Sequence, residues 1–300
     1  MKDTPLVSII TLNYNQADVT IEFLKSTQNL TYNHFETLVC DMNSIESPAD
    51  KIQSLNLPNT KVLLSDTNLG FAAGNNWGMR HAKGDYFFIV NNDTEVTPSL
   101  LNELLEPFSK DPSIGVTCPK IRFFQNPDIL QYAGFTKMKP ISGKTHSIGW
   151  GEKDTGQYNL SGFTYGAHGC AMMVKREVTE RIGMFPEKFF LYYEEWDWSE
   201  RIRKAGFNIY YQADALIYHK ESLSVGKNNP LKVYYLTRNR ILFMRRNRPL
   251  LSLLAFYLYF TLFTIPKNIF VYLLRGEFDF LKAFLRGIGW NLRNNKKSPV

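Results

Sequence analysis

Glu194, Glu195 and Asp197 place three carboxylates within four residues, interleaved with Tyr193, Trp196 and Trp198. Like charges this close, packed beside aromatic rings, hold at least one proton more tightly than a free carboxylate does, which suits a general base working near neutral pH. At helical spacing Glu194, Asp197 and Arg201 share a face, with Arg201 set to hold the acids. The competing reading is a solvated helix start, where acids favour the macrodipole. The interleaved rings, whose faces stack on sugars, argue against it. A second cluster, Asn91-Asn92-Asp93, closes the apolar run 86–90. A carboxylate at a strand end offers oxygen to a hard cation, although such a triplet by itself also reads as an ordinary turn. His219 ends the run 215–218 and is the histidine of the five to single out, yet a lone histidine after a strand is more often structural.

These groups need a frame. Residues 6–12 form a continuous apolar, β-branched run followed by Asn13, Tyr14 and Asn15, as a buried parallel strand ending in a polar turn would. Residues 18–27 carry helical spacing, 37–40 form a second strand stopped by Asp41, and 61–64 a third before Asp66. A helix over 72–81 and a strand over 86–90 follow. In an open α/β sheet ligands bind beyond the carboxyl ends of the strands, so the loops at Asn13, Asp41, Asp66 and Asp93 are the expected mouth of one site. Residues 121–161, rich in Gly, Lys, Thr and Ser without a sustained period, read as strand and loop lining an acceptor groove. Helical signals return over 178–205.

Four segments in fixed order, 7–15, 68–76, 91–93 and 193–198 followed by Arg201, resemble the family 2 inverting glycosyltransferases of the GT-A fold. Asn68-Leu69-Gly70-Phe71 is similar to the rhamnosyltransferase-like branch, and the similarity spans 5–219. The resemblance implies that Asn13, Asn15 and Asp41 grip a nucleotide, Asp41 accepting from an N–H of the base. It implies further donor contacts from Gly70, Asn75, Asn91 and Asn92, a divalent cation on Asp93, and His219 as a second metal ligand. Glu195 matches the base that deprotonates the acceptor hydroxyl, with Glu194 its rival and Asp197 in the same cluster. Two positions depart from the pattern. Asn91 stands where the family's Asp-x-Asp motif has its first acid, which brings no charge, and Glu195 is one methylene longer than the usual Asp. His168 lies in a segment that the family places near the acceptor, in an open role. The glycines 70–74 lack the Gly-x-Gly-x-x-Gly spacing after a first strand, so a Rossmann dehydrogenase is poorly supported.

The 300 residues are 44% apolar and 21% charged, the balance of a globular chain with a real core. The net charge of +7 is unevenly spread: from Lys227 onward fourteen basic residues face two acidic ones, a tail of +12 behind a body of −5. That pattern excludes a uniformly basic nucleic-acid binder. Cys40, Cys118 and Cys170 show no Cys-x-x-Cys spacing, which fits a reducing compartment without metal–thiolate chemistry. Residues 6–12 are too short for a signal-peptide core, placing the catalytic part on the cytosolic side. Residues 250–265 give sixteen uncharged positions before Pro266-Lys267-Asn268, short of the roughly 20 that a span needs. With Arg238, Arg240, Arg245, Arg246 and Arg248 before it and Arg275, Lys282 and Arg286 after it, this stretch reads as an interfacial or re-entrant anchor on an anionic leaflet. A single transmembrane span and a buried helical hairpin of a soluble dimer rank behind that reading.

The combined expectation is an α/β, GT-A type domain with a mostly parallel central sheet over 1–226, and a basic, apolar helical region over 227–300. Its activity is inverting transfer from a nucleotide-diphosphate sugar, assisted by Mg2+ or Mn2+, to a glycan or lipid-linked acceptor at the cytoplasmic face of the inner (plasma) membrane. No nucleic acid is expected as partner, and the C-terminal helices offer a homodimer contact. The rivals are a sugar nucleotidyltransferase, which should open with a Gly-rich, Arg-containing phosphate loop absent here, and a non-catalytic membrane-bound nucleotide-sugar or glycan-binding protein, suggested by Asn91.

Overall fold

Val7, Ile9 and Ile10 are fully buried, as the continuous apolar run requires of a strand covered on both faces. The computed structural model describes residues 4–220 and 229–298. In chain order the first half runs β1 (Val7–Asn13), α1 (Ala17–Thr27), β2 (Phe35–Asp41), α2 (Ala49–Gln53), β3 (Thr60–Leu64), α3 (Gly70–His81), β4 (Tyr86–Val90), β5 (Thr94–Val96), α4 (Leu100–Lys110) and β6 (Ile114–Phe123). Then come β7 (Leu130–Tyr132), β8 (Gly162–Thr164), β9 (Ala171–Lys175), α5 (Arg176–Ile182), α6 (Glu194–Lys204) and β10 (Asn208–His219). The C-terminal helices are α7 (Pro230–Asn247), α8 (Leu250–Tyr259), α9 (Ile265–Leu274) and α10 (Phe278–Arg293).

The sheet runs β3-β2-β1-β4-β9-β6-β10-β5, with β7 on β6 and β8 on β10. Strands β3, β2, β1 and β4 are mutually parallel, β9 runs against both its neighbours, and β10 returns parallel to β6. This is the GT-A-like α/β architecture that the resemblance implies, and β1, β2, β3 and β4 lie where the apolar runs place them. Helix α3 sits directly on β1 and β2: a Cβ on Gly78 would fall 2.5 Å from Ile10 Cγ2 and 3.0 Å from Cys40 Sγ.

The boundary expected at 226/227 lies outside the described residues. Beyond it, α7 is built into the catalytic body. Arg246 pairs with Asp197 at 2.7 Å, Arg248 with Glu200 at 2.8 Å, and Arg238 donates to the carbonyls of Lys188 and Phe189, both at 2.6 Å. Arg245 donates to the Asn291 and Asn294 carbonyls of the α10 end, and Arg240 is buried. Of the five arginines expected on a membrane surface, Arg238 and Arg240 are buried and Arg245, Arg246 and Arg248 are half-buried in contacts with the protein. Residues 238–248 lie on a helix packed between α6 and α10, and an unpaired guanidinium there would cost far more than one left in water.

The apolar stretch also differs from expectation. It does not break at Pro266: Leu250–Leu274 is one helix of 25 residues, with a mean hydropathy of 1.5 over its most apolar window. A π-helical turn, Phe260–Thr264, precedes Pro266 and opens the hydrogen-bond ladder where the proline has no N–H to give. At 1.5 Å per residue it is about 37 Å long, enough to cross a bilayer core. Only 11% of that window is buried, which sets aside a helical hairpin enclosed within one chain.

The α3 contact yields a test. Gly78→Ala forces a methyl into Ile10 and Cys40, and overpacking of this kind costs about 1–3 kcal/mol. A thermal midpoint lowered by several degrees is expected in a melt of the full chain; an unchanged midpoint contradicts the packing described.

Candidate active site

Asn13 and Asp41 face each other in register at the ends of β1 and β2. The Asp41 carboxylate, almost fully buried, accepts from Asn13 Nδ2 (2.7 Å), Ser44 Oγ (2.6 Å) and the Ser44 backbone N–H (3.0 Å). Asn13 Oδ1 accepts from Thr20 Oγ1 at 2.7 Å, and that hydroxyl accepts from Asn92 Nδ2 at 2.9 Å. Asn15, left-handed at φ 54°, accepts the Ile45 N–H and gives its own N–H to Ser44 Oγ, both at 2.8 Å. One hydrogen-bonded chain thus fixes three strand ends, and Asp41 Oδ2, with a single protein donor, is the atom left to accept from a ligand. Asn91 donates its backbone N–H to Cys170 O at 2.8 Å, and its side-chain amide has no partner among the described residues.

The short β5–β10 ladder sets Thr94 opposite His219 and so brings His219 beside Asp93. His219 Nε2 lies 3.1 Å from Asp93 Oδ1, and Nδ1 lies 2.8 Å from Gln131 Oε1, which orients the ring. Burial disfavours the imidazolium, but Cys170 and Asp93 outweigh it and raise the His219 pKa. One carboxylate and one imidazole nitrogen at cis-ligand separation form a partial donor set whose nitrogen suits a softer divalent ion such as Mn2+ better than the oxygen-seeking Mg2+, with the imidazole deprotonated at Nε2. Among the described residues no third His, Cys, Asp or Glu joins them. The remaining positions would fall to diphosphate oxygens and water.

Helix α6 starts from an unusual approach. Phe190, Tyr192 and Tyr193 are left-handed, at φ 65°, 68° and 74°. Their loop is held from two sides. Asn239 Nδ2 reaches the carbonyls of Phe189, Leu191 and Tyr192 at 3.0, 2.7 and 2.8 Å, and Phe190 O accepts the Phe71 N–H at 2.7 Å. Gly70, at φ 72°, is required for the second contact, since a Cβ there would lie 2.5 Å from the Phe190 ring. Asn75 Nδ2 donates to Phe71 O within α3. Gly70 and Asn75 therefore have packing roles in this structure.

From that platform Glu194 and Glu195 project with one oxygen each, Oε2, buried and without a partner. Burial first, then the neighbouring Glu195, pushes Glu194 well above the ordinary carboxylate range, while burial raises Glu195 to about 7. Burial of both groups and the charge of one on the other raise the two together, so the pair holds a proton more tightly than free carboxyls do.

Asp197 points elsewhere. Its carboxylate, 1% exposed, takes Arg246 Nε (2.7 Å), Asn247 Nδ2 (2.6 Å) and Arg201 Nε (3.4 Å). This corrects its catalytic assignment: the group locks α7 onto α6. Arg201 does not reach Glu194; it donates to the carbonyls of Ile182 (2.6 Å) and Met184. The tryptophans are core residues. Trp198 Nε1 donates to Gly183 O, and Trp196 meets the Phe135 ring at 4.3 Å, so neither offers a face to a sugar.

Residues 168–170 join the two halves. Cys170 O holds Asn91, and a Cβ on Gly169 would lie 3.9 Å from Glu195 Cδ. His168 stacks on Phe135 and accepts the Cys170 N–H on Nδ1, and burial followed by the nearby His219 brings its pKa down to about 3. It is a neutral packing group.

A sequence model described as "Glycosyl transferase family 2" matches residues 8–183, more than half of the chain. The chain belongs to glycosyl transferase family 2. Over 253 residues it is 24% identical to an N-acetylglucosaminyl-diphospho-decaprenol L-rhamnosyltransferase of Mycobacterium tuberculosis, covering 75% of this chain and 79% of that one. An uncharacterized protein of Sinorhizobium fredii is 26% identical over 82% of this chain, which spans only 28% of its length. Two solved structures share the fold: a mannosyltransferase of Pyrobaculum calidifontis in complex with GDP-Man and Mn2+ (TM-score 0.60, 15% identity, 98% and 77% of the two chains) and TarS of S. aureus (0.56, 16%, 86% and 72%).

Several residues that build this family 2 site had no readable signal in the sequence. Thr20, Ser44 and Gln131 are ordinary polar residues until the fold places them beside Asn13, Asp41 and His219. Asn239 and Arg238 stood inside a basic run that suggested lipid. Both carboxyls hold protons more tightly folded than unfolded, so between about pH 4.5 and 7 the folded state binds more protons and stability falls as pH rises. Glu194→Gln is accordingly expected to raise the thermal midpoint at pH 8 and leave it unchanged at pH 4, as scanning calorimetry at the two pH values would read.

Proposed function

We propose that this family 2 enzyme transfers a sugar, with inversion, from a nucleotide-diphosphate sugar to a hydroxyl of a growing glycan on a lipid carrier. The reading rests on one observation above the rest: residues 168–170 touch Glu195 on one side and hold the Asn91–Asp93 turn on the other. One three-residue segment thereby links the surroundings of Glu195 to the turn that carries Asp93. The acceptor class follows the mycobacterial relative, whose name specifies a diphospho-decaprenol-linked sugar. The nearest rival is a non-catalytic nucleotide-sugar binder, which measured turnover separates from a transferase.

In this reading Glu195 takes the acceptor proton as the acceptor oxygen bonds to the anomeric carbon, and the bond from that carbon to the diphosphate breaks on the opposite face. No protein nucleophile intervenes. Glu194, pushed above the ordinary carboxylate range by burial and by Glu195, limits the charge beside the base. Asp93 and His219 would hold the divalent cation, which when bound neutralises charge on the leaving diphosphate. Asn13, Asn15, Asp41 and the free amide of Asn91 orient the donor, Asn92 acting through Thr20.

The Leu250–Leu274 helix turns one face inward and leaves Leu251, Leu254, Leu258, Leu262 and Phe270 exposed. With Lys282 and Arg286 exposed on α10, this supports a peripheral seat on an anionic membrane surface, on the cytoplasmic side. A second copy of the chain is the other candidate cover. Vesicle flotation and sedimentation velocity on the full chain distinguish the two.

Screening the full-length protein against a panel of nucleotide sugars should find one that is hydrolysed or transferred. Glu195→Gln should lower turnover about 100-fold or more with donor affinity retained, and should abolish a rising limb near pH 7 in kcat/KM. Full turnover in Glu195→Gln with loss in Glu194→Gln would reassign the base. Asp93→Asn should abolish cation-dependent binding of a nucleoside diphosphate. Equal binding by the wild type with and without chelator would sink the metal assignment.

A further inference from the structure

Behind Tyr193, the residue that leads into Glu194 and Glu195, lies a cavity of about 370 Å³ that the donor chemistry does not use. Its size is within the range of small-molecule sites. Three cations line it: Lys144 from the loop before β8, Arg240 from α7, and Lys267 from α9. None of the three forms a salt bridge among the described residues. Arg240 is 7% exposed. Its Nε is spent on Ser142 O at 2.6 Å and its guanidinium lies over the Phe260 ring at 5.3 Å, but Nη2 is buried with no acceptor. A buried guanidinium N–H left unpaired carries its full desolvation penalty, which an anionic oxygen in the cavity would relieve. Burial, then Arg240 and Lys267, pulls the Lys144 pKa down, as crowded cations without a counter-charge require.

The rest of the wall is mostly aromatic and aliphatic, with Thr237, Thr264 and Asn268 among it. Phe260 and Phe284 are buried on the inner side, while Phe263 lines the cavity and is 63% exposed. Through Phe263 the cavity borders the exposed helix that also carries Leu262 and Phe270. Tyr193 joins this space to the base, and its hydroxyl donates to Gly143 O next to Lys144. Three positive groups and the rings of Phe260, Phe263 and Phe284 lining one space, with a carboxyl pair next to Tyr193, match an amphiphile whose head is phosphoryl and whose tail is a hydrocarbon.

We propose that this cavity binds the diphosphate and first isoprene units of a polyprenyl-diphosphate-linked acceptor. Lys144, Arg240 and Lys267 hold the diphosphate, and Phe260 and Phe263 cover the start of the chain. This deepens the transferase reading above and rests on it for the direction in which the acceptor sugar points. The rest of the chain runs out over the exposed helix face, so the acceptor reaches Glu195 without leaving its membrane.

The test uses full-length protein and farnesyl diphosphate as probe, by calorimetry with chelator present so that cation-dependent binding at Asp93 and His219 is silent. Farnesyl diphosphate should bind more tightly than either inorganic diphosphate or farnesol. Lys144→Gln combined with Lys267→Gln, both at exposed positions, should weaken it about tenfold or more. Phe263→Ser should weaken farnesyl diphosphate and leave inorganic diphosphate unchanged. Thermal midpoints and Mg2+-dependent nucleoside diphosphate binding should be unaltered in all variants. Equal affinity of inorganic diphosphate and farnesyl diphosphate, or wild-type affinity in the double variant, overturns the proposal. Displacement of farnesyl diphosphate by phosphatidylglycerol vesicles as readily as by unlabelled probe assigns the cavity to a general phospholipid headgroup and overturns it too. Donor turnover separates this from the reading beneath it: turnover with no farnesyl diphosphate binding sinks the cavity assignment alone, and binding with no turnover on any donor sinks the transferase.

Discussion

Three left-handed residues, Phe190, Tyr192 and Tyr193, precede the helix that carries the carboxyl pair, and none is a glycine. Each costs of order 1–2 kcal/mol in backbone strain, so the loop holds this shape only because neighbours impose it. Asn239 imposes it with one side-chain amide on three carbonyls, and Gly70 imposes it by letting Phe190 close onto α3. The position of Glu194 and Glu195 is thus decided jointly by α7 and α3, elements far apart in sequence. Were the strain relaxed, the acids would swing away from Gly169 and the link to the Asn91–Asp93 turn would be lost.

The same junction explains why Asp197 is not a third catalytic acid. Two carboxyl oxygens without a hydrogen-bond partner already sit buried at the start of α6, and an uncompensated Asp197 charge beside them would be costly. Asp197 is instead fully neutralised by Arg246 and Arg201 with Asn247 as further donor. A buried pair of this kind adds little net stability over apolar packing, yet removing one partner is costly, so it fixes the register of α7 on α6 more than it strengthens the fold. That register is what sets Asn239 opposite the carbonyls of residues 189–192.

What the sequence revealed and what it hid divide along physical lines. The parallel strands were legible because burial on both faces demands uninterrupted apolar runs, and β4 matches its run at both ends. The strand-end positions of Asp41, Asp93 and His219 were legible because polar residues stop such runs, and strand ends sit at the mouth of an open sheet. The partners of those residues were not. Gln131 comes from a three-residue strand in the least periodic stretch of the chain, and only the β6–β7 pairing brings it to His219. The tryptophans of α6 were misread because composition shows that an aromatic is near an acid, but not which side of the helix it occupies. Pro266 misled for a related reason: its rule assumes a regular α-helix, and the π turn at Phe260–Thr264 removes the clash.

The tail shows most clearly why charge counted along a chain is a poor guide to charge presented on a surface. Its excess of +12 suggested a broad cationic face, with each Lys or Arg near an anionic leaflet contributing about 1 kcal/mol. Arg238, Arg245, Arg246 and Arg248 are spent on carbonyls and carboxylates inside the protein. Arg240 is turned inward without a counter-charge, and Lys267 reaches the same cavity from the opposite wall. What remains for a leaflet is a short set at the far end, including Lys282, Arg286 and Arg293, beside a long apolar helix face. The Leu250–Leu274 helix adds exposed apolar area beside those cations, while the buried Arg240 and the exposed Lys267 meet at the cavity next to Tyr193.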